Sequence, residues 1–109
     1  MANGTLGKQL TVATSYVTVY TVPATAEFAT VTIYVCNGTV NDAAMRIAIS
    51  TEATTPLAQD HVEYGAIVPA NGGVMDRTCI PLSPGDKVMV WSDRAGVAVR
   101  VSGLEQPAA

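Results

Sequence analysis

Apolar and polar residues alternate with a period of two along most of this chain. From Ser15 to Val22, Val17 and Val19 fall on one face and Tyr16, Thr18 and Tyr20 on the other. From Glu27 to Cys36, Ala29, Val31, Ile33 and Val35 face one way, and Phe28, Thr30, Thr32 and Tyr34 face the other. Successive side chains of a strand point to opposite faces, and β-branched residues fit a pleated surface. The pattern therefore predicts half-buried strands. Met45 to Ile49 repeats it, with Met45, Ile47 and Ile49 inward. Weaker strands are predicted at His61 to Val68 and Val74 to Leu82. Clearer ones are predicted at Lys87 to Ser92 and Val97 to Leu104, and a short first strand at Lys8 to Val12. The inward set is Val31, Ile33, Val35, Ile47, Ile49, Val88, Val90, Val99 and Val101, the predicted core.

The breaks between these runs carry turn chemistry. Pro23 stops the second run because proline has no N–H for a ladder. Asn37-Gly38 supplies residues that tolerate positive φ. Pro69 to Gly73 reads as a longer turn, Ser83-Pro84-Gly85-Asp86 as a β-turn, and Asp93 to Gly96 as a short hairpin loop. Thr51 to Gln59 is polar and aperiodic, a loop with room for one helical turn. No segment holds a 3.6-residue period long enough for a major helix. About eight short strands at spacings near ten residues predict an all-β, antiparallel two-sheet sandwich of jelly-roll or Greek-key type. The whole chain, 1–109, is one such domain, with arms expected at Met1 to Gly7 and Gln106 to Ala109, where the apolar pattern is missing.

Composition narrows the class. The 109 residues are 49% hydrophobic but only 14% charged, with a net charge of −3. That excludes disorder and a coiled coil. Four Arg and two Lys, scattered, make no footprint for a phosphate backbone, so no nucleic-acid partner is expected. No apolar stretch is long enough to span a membrane as a helix. Met1 to Gly7 has neither a basic nor an apolar signal region, so the expectation is a protein that is not secreted.

Candidate chemistry is sparse. His61 is the single histidine, and Ser50, Ser92 and Cys79 are the nucleophiles it would have to activate. None lies in a nucleophile elbow or a cysteine-protease context. One histidine with Cys36 and Cys79 far apart does not compose a zinc site, and two reduced thiols are expected. Asp42, Asp60, Asp76, Asp86 and Asp93 fall mostly at strand ends, where carboxylates bond backbone amides. Asp86 and Asp93 flank one strand without the spaced oxygen run a calcium site needs. Asn3-Gly4-Thr5 and Asn37-Gly38-Thr39 match the glycosylation acceptor pattern but read as turns. The expectation is no enzyme, no catalytic or metal-binding residue and no cofactor.

The outward aromatics Tyr16, Tyr20, Phe28 and Tyr34 offer cross-strand packing, a contact surface for another protein or a platform for stacking on sugars, and Trp91 reads as core, interface or sugar platform. A chain this poor in charge must leave Thr, Ala, Val, Ser and Gly on its surface. Such a β surface invites pairing unless other subunits cover it. A homo-oligomer or a place in a larger assembly follows, with the N-terminal arm, the loop Thr51 to Gln59 and the aromatics as contact elements.

The order of several segments resembles that of small β-sandwich virion proteins of tailed bacteriophages. The segments are Tyr20 to Ala24, Ala29 to Asn37, Arg46 to Ser50 and Val62-Glu63-Tyr64. They continue with the turn Pro69-Ala70-Asn71-Gly72, then Asp76-Arg77-Thr78 and the ending Gly96 to Glu105. The resemblance runs from about Thr18 to Glu105. It implies a capsid decoration, or cement, protein that binds and stabilises the capsid shell. The alternatives are a tail, baseplate or fibre component and, further off, a carbohydrate-binding module for host attachment. The implied partners are other virion proteins, the major capsid protein first, and copies of the chain itself. The implied place is the virion, assembled in the bacterial cytoplasm.

Overall fold

A computed structural model describes residues 3–107. The described residues form eight strands and one short 3₁₀ turn. The strands are β1 (Asn3–Leu10), β2 (Ser15–Thr21), β3 (Ala26–Asn37), β4 (Ala43–Ser50), β5 (His61–Val68), β6 (Gly73–Leu82), β7 (Lys87–Ser92) and β8 (Ala98–Pro107). The 3₁₀ turn covers Ala58–Asp60, inside the polar loop where one helical turn was expected. Two four-stranded antiparallel sheets pack together. Their strand orders are β1-β8-β3-β6, here sheet A, and β2-β7-β4-β5, here sheet B.

The pairings β1 with β8, β2 with β7, β3 with β6 and β4 with β5 describe one long ribbon rolled over itself. That is the jelly-roll topology. Among consecutive strands, β4 and β5 alone hydrogen-bond to each other. Asp93 to Gly96 is therefore not a hairpin loop as its sequence predicts. It carries the chain from β7 in sheet B to β8 in sheet A.

The inner faces meet in one core. Ile33, Val35, Met45, Ile47, Val88, Val90 and Val101 are essentially without exposed surface, and Val31 and Val99 nearly so. Ile49 sits at the rim, partly buried against them. Two polar contacts tie the sheets at their open sides. The Tyr20 hydroxyl on β2 donates to Glu105 Oε2 on β8 at 2.5 Å. Arg77 on β6 pairs with Glu63 on β5.

The expected terminal arms are corrected where the structure describes them. Asn3 to Gly7 are the first half of β1 and pair with β8 from Leu104 to Val101. Gln106 and Pro107 pair with Phe28 and Ala26. The segment lacks an apolar pattern because it is an edge strand with both faces largely solvated. Met1, Ala2, Ala108 and Ala109 lie outside the described residues.

Candidate functional site

Most of the residues raised as candidate chemistry make structural contacts. His61 opens β5, and its ring nitrogens contact the Tyr16 hydroxyl (2.7 Å, Nε2) and the Ala58 carbonyl (3.2 Å, Nδ1). A carbonyl only accepts, so Nδ1 is the donor to Ala58, while Nε2 and the Tyr16 hydroxyl share the second bond. Ser50 and Ser92 are buried, and their hydroxyls accept from the backbone N–H of Glu52 and Arg94. Cys36 and Cys79 are free and exposed thiols on sheet A. The aspartates behave as turn chemistry dictates. Asp42 accepts from Ala70 N, Asp60 from Leu57 N, Asp86 from Ser83 N and Asp93 from Ala44 N. Asp76 instead stands within β6. Among the described residues, no group of three or more His, Cys, Asp or Glu gathers to hold a metal ion. None of their helices is long and apolar enough to cross a membrane.

Asn37, in the second glycosylation-like triplet, is fully buried. Its Nδ2 donates to the carbonyls of Asn41 and Val68, and its Oδ1 accepts from both the N–H and the hydroxyl of Thr39. All its hydrogen-bonding capacity locks the β3–β4 crossing against the end of β5.

The exposed faces remain. The predicted row of outward aromatics splits three ways. Tyr20 turns out to be 8% exposed, because a register shift between Thr18 and Tyr20 swings it toward the core side. Phe28 and Tyr34 stand exposed on sheet A. Tyr16 and Trp91 lie on sheet B as cross-strand partners.

Sheet A presents rows across its outer face. One runs Lys8, Arg100, Tyr34, Asp76 and the next runs Leu10, Ala98, Cys36, Val74. They line an open groove of about 880 Å³. Leu10 and Val74, at the two edges of the sheet, are 60% and 74% exposed. Leu104 and Phe28 are exposed farther along the same sheet.

Sheet B presents a different row: Tyr16, Trp91, Arg46, Tyr64, one residue from each strand in order. The Arg46 guanidinium carbon lies 4.0 Å from the Trp91 ring centroid and 4.3 Å from that of Tyr64. Both distances are well inside cation–π range. The His61 ring meets Tyr64 edge to face at 5.0 Å. Tyr16 and His61 belong to the two edge strands and touch across the sheet. Beneath them Met89 and Ala48, which pair with each other outside the main core, are buried.

In the sequence Tyr16, His61 and Trp91 stand out separately, and Arg46 and Tyr64 carry no candidate role. A signal for Arg46 is there: it is the one charged residue of β4, between inward Met45 and Ile47. That four strands bring these side chains into one row depends on strand order, which alternation does not contain.

No protein-family model matches this chain, and neither a curated protein nor a solved structure does.

Proposed function

We propose that this chain is a structural protein of a bacteriophage virion, a capsid decoration protein that covers and stabilises the shell by association. The observation that carries the reading is the outer face of sheet A. There Leu10, Tyr34 and Val74 stay exposed along an open groove that Lys8, Arg100 and Asp76 also line, and Phe28 and Leu104 are exposed farther along the sheet, on a chain with only 14% charged residues. Exposed apolar residues gathered on one face and rimmed by polar ones mark interaction sites on soluble proteins. The jelly roll supports the reading as a rigid plate with two broad faces, and the segment order supports it through its resemblance to small virion proteins. The partner is the major capsid protein, with neighbouring copies of the chain beside it.

The experiment is to add purified protein to shells that lack it and to count bound copies per particle. A decoration protein saturates at hundreds of copies on shells and is absent from isolated tails. Copurification with tails at a few dozen copies or fewer overturns the capsid assignment in favour of a tail component. Retention on a glycan array together with no binding to either particle overturns the structural reading altogether.

A further inference from the structure

The Tyr16, Trp91, Arg46, Tyr64 row on sheet B is a second surface, separate from the groove on sheet A. Its central feature is an arginine held in place without an acid. Arg46 is partly buried, with one aromatic ring close on the β7 side and another on the β5 side. Its guanidinium makes no hydrogen bond or ion pair with any described residue. The four strands of sheet B contain a single carboxylate, Glu63, and that one is taken by Arg77. The charge of Arg46 is thus uncompensated on its own sheet. Among the described residues no side-chain nitrogen or oxygen is both buried and without a hydrogen-bond partner, so the guanidinium nitrogens keep some access to solvent.

This geometry decides what the row can bind. A sugar stacking on an aromatic platform needs a free ring face. Here Trp91 and Tyr64 each give one ring face to Arg46, and Tyr64 is further engaged by His61, which narrows such a platform. Tyr64 keeps 65% of its surface exposed, and beside it the edge of the guanidinium is open as well. A planar fork of N–H donors matches a carboxylate in bidentate fashion, and stacking between rings fixes its orientation beforehand. Trp, Tyr and Arg are also the residue types that dominate binding energy at protein interfaces.

We infer that Arg46, clamped between Trp91 and Tyr64, is a carboxylate-binding site that receives an acidic side chain from a partner protein. The identity of that partner as a shell protein rests on the proposed function. The carboxylate chemistry does not. Tyr16 and His61 act as positioning residues, closing the face on which the row stands.

Trp91 is the only tryptophan in the chain, so its fluorescence reports on the site directly. The test titrates acetyl-tetraglutamate amide, and separately sodium glucuronate, at millimolar concentrations into the full chain. It also measures binding to shells lacking the protein. The expected result is a saturable change in Trp91 emission with the peptide. Arg46→Lys, which keeps the charge and loses the fork, weakens it at least tenfold, and Arg46→Met abolishes it. Shell binding falls in the same order, while thermal midpoints confirm that both variants fold. An Arg46→Lys protein that binds peptide as well as the wild type overturns the site, as does a wild-type protein that ignores the peptide. A response to glucuronate without one to the peptide overturns the protein partner in favour of an acidic glycan. A wild-type protein that titrates with peptide but not with shells leaves the carboxylate site standing and overturns the virion reading alone.

Discussion

Ile33 has no exposed surface and sits where β3 is flanked by both β6 and β8, opposite Arg77 and Val101. Truncating it removes buried methyl groups and leaves a void that rigid sheets fill poorly. Ile33→Ala is expected to cost about 2–5 kcal/mol, read as a lowered denaturation midpoint. An unchanged midpoint would place that side chain outside the core. Strict alternation made Ile33 legible from sequence. Tyr20 was not legible, because one extra residue at a bulge reverses the face of everything after it. The consequence is chemical. Burial, then the hydrogen bond to Glu105 and its negative charge, push the Tyr20 hydroxyl well above the usual tyrosine range. A folded-state pKa above the unfolded value of about 10 means the unfolded chain loses this proton first. The stabilisation is complete below about pH 10 and drains away as pH rises beyond it. Tyr20→Phe is expected to lose about 0.5–1.5 kcal/mol at neutral pH and to soften the alkaline fall in thermal midpoint. A variant whose midpoint falls as steeply as the wild type's above about pH 10 would count against Tyr20 as a source of that limb.

At the scale of elements, the sequence runs from Ser15 onward locate every strand within a few residues, because most runs have one dry face and β5 and β6 still alternate between half-buried and exposed positions along much of their length. β1 escaped in its first half. Its exposed residues show no alternation, and what holds them is backbone pairing to β8, a partner some hundred positions away in the chain. Gly7 shows how closely this edge strand is seated. A Cβ there would lie 2.2 Å from the Val19 carbonyl oxygen, at the corner where β1 of sheet A passes β2 of sheet B. The register of β1 shifts between Thr5 and Gly7 at the same point. Gly7→Ala is expected to force the corner apart at a cost of about 1–3 kcal/mol. Amide exchange should then quicken along Asn3 to Leu10 and remain slow in β3 and β4. Unchanged protection in β1 would show that the corner has slack. The loop between β4 and β5 is the converse case. Its aperiodic polarity marked it correctly as irregular, yet Pro56 within it is buried, a tertiary effect that no local pattern announces.

The whole molecule is a jelly roll whose topology alternation alone leaves open. Period-two runs state that strands have two faces but not which strands are neighbours. Of the six hydrogen-bonded strand pairs, β4 with β5 alone joins strands consecutive in sequence. For the same reason the Arg46 row was legible residue by residue and not as a site. The accessible surface is 5517 Å², close to the roughly 5,700 Å² expected for a folded chain of this mass. One standard contact takes about 800 Å² from each partner, roughly a seventh of that surface. The outer face of sheet A has the breadth for such a contact, and Leu10 and Val74 stand at its two edges with most of their surface in water. Replacing both by glutamate removes apolar contact and introduces two charges that association would have to desolvate, while the solvated side chains leave the fold intact. The measurement that bears most directly on the account is cosedimentation of the chain with shells that lack it, comparing wild type with Leu10→Glu/Val74→Glu. Association through sheet A predicts saturable binding of the wild type and at least a hundredfold weaker binding of the double variant at an unchanged thermal midpoint. A folded double variant that loads shells as fully as the wild type would contradict it.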